Sequence, residues 1–278
     1  MNVPNNIDEE LRESYSIQQS HIAHFQKYRY IKLKSVFSKA LLGFFNEAIG
    51  KKVVEKSMDK PSIEIRDTYG KAFLQIFNLW REDEVIKKLV FSKRLAKIAS
   101  DLMQVKGVRI YHDQALFKEG GGGITPWHSD QYYWPLETDK TITAWIPLHS
   151  VPLEMGPVEF SAGSHVVVEG RNLKIGDESE AVMKQKLNLP AGQAGVTDFR
   201  HVIEPFDLGE VSFHSGWIFH RAGANTTKDT RKVMTVIYMD KEMKLKNPEN
   251  KNQVEDWNAW CPGAEIGKII DTPLNPVL

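Results

Sequence analysis

The strongest constraint on this chain lies downstream of Gly107. Short β-rich runs follow one another there, divided by turns that carry glycine, proline and asparagine. They cover 108–117, 141–148, 158–161, 195–204, 209–214 and 231–239. Many short strands with such turns specify a β-sandwich or jelly roll rather than a parallel α/β sheet. Upstream the pattern is helical. Phe37, Leu41, Phe44, Phe45 and Ala48 recur at helical spacing after a candidate cap at Ser35, and Leu95, Ile98, Ala99 and Leu102 follow a second candidate cap at Ser92. The stretch 73–80 reads equally as strand or helix. The expected class is therefore mainly β, with N-terminal α-helices covering one face of a sheet.

The 278 residues suit one large β domain with decoration. The expected division is a polar lead-in over 1–20 and a single domain over 21–278. Within that domain, 21–106 is helical, 107–240 is the jelly-roll core and 241–278 is a C-terminal extension. The stretch 166–194 is polar and aperiodic, the signature of a lid. Lys+Arg and Asp+Glu both number 36, so no bulk positive charge favours nucleic acid. No apolar run approaches the length of a membrane span. The single cysteine, Cys261, excludes an internal disulfide. Residues 1–10 lack the features of a signal peptide, so the expected location is cytoplasmic.

The chemistry concentrates around Trp127-His128-Ser129-Asp130. In an extended segment, residues two apart point the same way, so His128 and Asp130 can aim an imidazole and a carboxylate at one point. Two histidines and one carboxylate suit Fe(II) and leave coordination positions open. Alone, the tripeptide reads more readily as a polar turn. His214 and His220 both meet the spacing for a third ligand. Arg231 favours His220, because it opens an apolar strand just after the turn that follows His220. Arginine also supplies a bidentate cation for a carboxylate.

Taken together these residues resemble the phytanoyl-CoA dioxygenase family of Fe(II)- and 2-oxoglutarate-dependent oxygenases. The matching features, in order, are His128 and Asp130, Trp145 in a following strand, the turn Gly163-Ser164-His165, His220, and Arg231 eleven positions later. The resemblance implies a double-stranded β-helix, the cupin-like jelly roll. It implies Fe(II) held by His128, Asp130 and His220, with 2-oxoglutarate as cosubstrate and dioxygen as co-reactant. Arg231 would pair with the far carboxylate of the cosubstrate, and Trp145 and Gln114 would line its pocket. The implied activity is hydroxylation of a small-molecule metabolite, yielding succinate and carbon dioxide. Trp127, Tyr132, Trp134 and Arg221 flank the motifs as candidate substrate contacts. The chain departs from the family at Ala162, where proline is common, and at Arg221-Ala222, where relatives often carry Gly-Ser. It departs again at His149, where an acidic residue is common. Two other readings share the fold: a small-molecule-binding protein without activity, and a cupin-type metalloenzyme independent of 2-oxoglutarate. The first has no use for an intact triad, and the second has none for Arg231.

Overall fold

A computed structural model describes residues 6–59, 61, 63–66, 68–187 and 199–278. Its centre is two antiparallel sheets. The larger contains β1 (Tyr30–Leu33), β2 (Leu74–Phe77), β3 (Val108–Lys118), β5 (Thr141–Pro147), β8 (Val211–Ser215) and β10 (Arg231–Asp240), in the order β1-β8-β5-β10-β3-β2. The smaller contains β4 (Thr125–His128), β6 (Val158–Ala162), β7 (Arg200–Ile203) and β9 (His220–Ala222), in the order β4-β9-β6-β7. The fold is the jelly roll that the strand pattern specifies.

Period-two alternation divides the large sheet into two functions. Ile110, Ala115, Ile142, Ala144, Met234 and Val236 are fully or almost fully buried against the N-terminal helices. These helices include α2 (Gln19–Tyr28), α3 (Lys39–Ser57), α5 (Glu84–Val90) and α6 (Lys93–Met103), which add Phe45, Leu89, Ile98 and Leu102. The opposite face carries His112, Gln114, Thr143, Trp145, His214 and Thr235 towards the small sheet. The main core therefore lies outside the sandwich, which leaves the space between the sheets for a ligand.

Local chemistry explains most boundaries. The Ser92 side chain accepts the Leu95 N–H and starts α6, as expected. For α3 the cap is Ser38, which accepts from Leu41 N, rather than Ser35. Ser35 instead adopts a left-handed backbone with φ 52°. The ambiguous stretch divides into β2 and a 3-10 turn over Leu79–Arg81. The polar lead-in does not hold for its described part: α1 (Ile7–Arg12) buries Ile7 and Leu11 in the main core. Two apolar residues four apart were too few to stand out among its charges. The lid candidate contains α7 (Asp177–Leu187), which buries Ser179, Met183 and Leu187, while 188–198 lie outside the described residues. Within the C-terminal extension, α8 (Lys251–Trp260) lies beside the turn that follows β4. Among the described residues, no helix is long and apolar enough to cross a membrane.

Candidate active site

His128 and His220 are directly paired neighbours on the antiparallel strands β4 and β9. Their rings lie 4.1 Å apart between centroids. Ser129 is extended, so Asp130, the first residue of a 3-10 turn, still points to the same side as His128. Both imidazoles present Nε2 to Asp130 Oδ1, at 3.6 Å in each case. Each Nδ1 is turned to a backbone carbonyl: His128 to Pro126 O at 2.7 Å, and His220 to Ile218 O at 3.2 Å. Donation of Nδ1–H there leaves both Nε2 lone pairs free for a metal. The three donor atoms lie within 4.8 Å of one another.

The charge states fit the same role. Burial lowers the pKa of His128 and takes that of His220 well below its usual value, keeping both imidazoles neutral as ligands require. Burial opposes ionisation of Asp130, but facing His220, with His214 and His128, holds it below the usual carboxylate range. The other oxygen, Oδ2, is 3.4 Å from Thr143 Oγ1 and 3.6 Å from His214 Nε2. One carboxylate oxygen thus faces the histidine pair of the small sheet, and the other is braced by the large sheet. This donor set fits a divalent metal held through one oxygen of Asp130.

The triad opens into a cavity that leaves about 240 Å³ to water-sized spheres and is lined by both sheets. Arg231 lies in its wall and is 2% exposed. Its guanidinium carbon lies 5.5 Å from the Trp145 ring centroid, and Nη1 donates to the Gly156 carbonyl, while Nε has no partner among the described residues. Gly156 has φ +64°, and an added Cβ would stand 2.2 Å from Gly223 O, so no other residue fits that cradle. Burial pushes the Arg231 pKa down to about 9. Directly across β3 stands Lys118, fully buried. Its ammonium donates to Gly123 O, and burial, then the Arg231 charge, pushes it down to about 6. At neutral pH the Lys118 amine is therefore largely uncharged beside the cationic Arg231. A bound anion at this end of the cavity would offset the Arg231 charge.

Of the expected contacts, Trp145, Gln114, Trp134 and Arg221 line the cavity with the triad and Arg231. Gln114 accepts from Gln75 Nε2 at 2.6 Å. Arg221 is already engaged by Glu180 at 3.1 Å and Glu159 at 3.7 Å. Trp127 and Tyr132 are corrected: neither lines the cavity. Between Thr125 and His128, β4 carries one residue more than β9, a bulge that turns both residues inward. It leaves Trp127 packed with Phe219, Val167 and Met183. The Tyr132 hydroxyl instead accepts from Asn252 Nδ2 at 2.9 Å, tying the turn to α8. Sequence reasoning missed His112, Thr143, Lys118, Asp256 and Trp260. Alternation from Gln114 and Trp145 gives the first two. Nothing local marks the pair on α8.

The family model described as Phytanoyl-CoA dioxygenase (PhyH) matches residues 25–233. The chain belongs to this family. Among curated proteins, Phytanoyl-CoA dioxygenase domain-containing protein 1 of Danio rerio is 23% identical over 180 residues, 60% of this chain and 57% of the relative. The chain thus spans a little over half the length of that relative. Among solved structures, the non-heme alpha ketoglutarate dependent carbocyclase SnoK from nogalamycin biosynthesis superposes with a TM-score of 0.71 at 21% identity, covering 100% of both chains. EctD from S. alaskensis with 2-oxoglutarate and 5-hydroxyectoine gives 0.67 at 19% identity, covering 94% of this chain and 90% of that one.

Proposed function

We propose that the protein is an Fe(II)- and 2-oxoglutarate-dependent oxygenase that hydroxylates a small-molecule metabolite with release of succinate and carbon dioxide. One observation carries the reading: a two-histidine, one-carboxylate set and a buried arginine share a single cavity. Metal ligation alone has no use for a buried guanidinium that, among the described residues, has no carboxylate partner. A dicarboxylate cosubstrate has a use for both.

His128 Nε2, His220 Nε2 and Asp130 Oδ1 would hold Fe(II) on one face, leaving its remaining positions for cosubstrate and dioxygen. When bound, the iron supplies the activation of dioxygen that no protein side chain provides. Arg231 would bind the far carboxylate of 2-oxoglutarate. Trp145 and Gln114 would line the cosubstrate channel, and the apolar surroundings would exclude bulk water. Asp130 supports hydroxylation over halogenation, because its carboxylate takes the position a halide would need. Dioxygen and a small organic substrate are the expected reactants, in a cytoplasmic setting.

The test is anaerobic titration of 2-oxoglutarate into the Fe(II)-loaded protein. Arg231→Ala is expected to weaken binding on the order of tenfold or more, given that charge-assisted hydrogen bonds contribute about 1.5–3 kcal/mol. Arg231→Lys should restore only part of it, since an ammonium lacks the planar fork. An unchanged titration in Arg231→Ala would refute the role. Absence of 2-oxoglutarate binding in the wild-type protein would refute the oxygenase reading itself.

A further inference from the structure

The cavity has a second polar pole, far from Arg231. On α8, Asp256 and Trp260 are one helical turn apart and both reach the cavity. They meet β3 near Tyr111 and His112, six residues from Lys118 at the other end of the strand, roughly 20 Å away at the rise of a β-strand. The two poles are therefore separate. One holds Arg231, and the other holds a carboxylate.

Asp256 Oδ2 accepts from the Tyr111 hydroxyl at 3.4 Å, and Trp260 is its other hydrogen-bonding neighbour. Among the described residues, no lysine, arginine or histidine forms an ion pair with it. Burial raises its carboxyl to about 7, and the Asp130 charge adds to the rise. Aromatic rings surround this pole. His112 lies 4.8 Å from Trp260 between ring centroids, at 37°. Phe77 lies 4.8 Å from Trp260 at 34°, and is 36% exposed at the rim. Burial lowers the His112 pKa to about 4, so this ring adds no positive charge at neutral pH. A carboxylate without a cation, framed by π-faces, attracts a positively charged nitrogen twice over.

We propose that the substrate is an organic cation, its protonated nitrogen set against Asp256 and its apolar body against Trp260, Phe77 and His112. The inference rests on the oxygenase reading for the word substrate, but not for the binding itself. Arg231 and Asp256 then sort two ligands by sign. The dianionic cosubstrate is drawn to one pole and repelled from the other, and the cation does the reverse. The nitrogen would be held beside the metal site, so bonds a short distance along the cation would face the triad.

The test compares two probes of the same shape, 2-phenylethylammonium and neutral 2-phenylethanol. Each is titrated anaerobically into the protein loaded with Fe(II) and 2-oxoglutarate, at mildly alkaline pH where Asp256 is ionised and the amine protonated. Calorimetry reads the affinity. The wild-type protein should prefer the ammonium on the order of tenfold. Asp256→Asn keeps the shape and one acceptor oxygen but removes the charge, and should erase the preference without changing 2-oxoglutarate affinity. Trp260→Leu should weaken both probes. Equal binding of the two probes, no saturable binding of the ammonium, or a preference that survives Asp256→Asn would overturn the proposal. Failure of 2-oxoglutarate to bind the wild-type protein would instead strike the oxygenase reading.

Discussion

His214 lies close enough to compete for the ligand role, and the geometry separates it from His220. Its Nε2 stands 3.6 Å from Asp130 Oδ2, whereas His128 and His220 face Oδ1. Among the described residues, neither ring nitrogen of His214 has a hydrogen-bond partner. With Thr143 it flanks Oδ2, so its expected role is to position the carboxylate rather than to bind the metal. His214→Ala should keep one metal per chain, whereas His220→Ala should lose most metal affinity with the fold intact. Equilibrium dialysis followed by elemental analysis measures both, and the opposite pattern would transfer the ligand role to His214. The candidate triad and Arg231 are legible in the sequence because a metal and a carboxylate would dictate those residue types, and their order is distinctive. The choice between His214 and His220 needed Arg231 as a second marker. Asp256 is not legible at all: its meaning arises only when α8 folds across a strand more than 140 residues earlier, and no local pattern carries that information.

At the scale of elements, β3 and β10 set a buried lysine against a buried arginine, Lys118 opposite Arg231. Burial, with Arg231 beside it, takes the Lys118 ammonium from its ordinary 10.5 to about 6. Between these values the unfolded chain binds more protons than the folded one, so this group's contribution makes stability rise with pH. The penalty is complete below the lower value and vanishes above the upper one. Lys118→Met removes the titrating group. In the metal-free protein, the melting temperature of the wild type should gain on that of the variant as pH rises from about 6 to 10. A constant gap in calorimetric scans would show that Lys118 does not carry this cost. The β strands are legible because turn residues and apolar runs mark them. The short strands β4 and β9 are not, since each spends its residues on the site: the bulge in β4 breaks the alternation that would otherwise reveal it.

Across the whole molecule, stability and chemistry occupy opposite faces of one sheet. Ile98 on α6 is fully buried in the outer core. Ile98→Ala should cost about 2–5 kcal/mol and lower the melting temperature by several degrees, while the folded protein keeps its affinity for 2-oxoglutarate. A thermal melt paired with the 2-oxoglutarate titration checks both, and lost affinity would mean that the outer core shapes the cavity. The candidate metal ligands follow the small sheet, whereas Arg231 belongs to the large one. A cosubstrate held at both ends would work as a tie-rod between two leaves. Its loading should suppress their breathing motion, so amide exchange in β4 and β9 should slow when Fe(II) and 2-oxoglutarate are both present and slow less with Fe(II) alone. In the proposed oxygenase the cosubstrate would then be a mechanical part until its cleavage shortens the rod, and each turnover would slacken the very clamp that the next molecule must tighten.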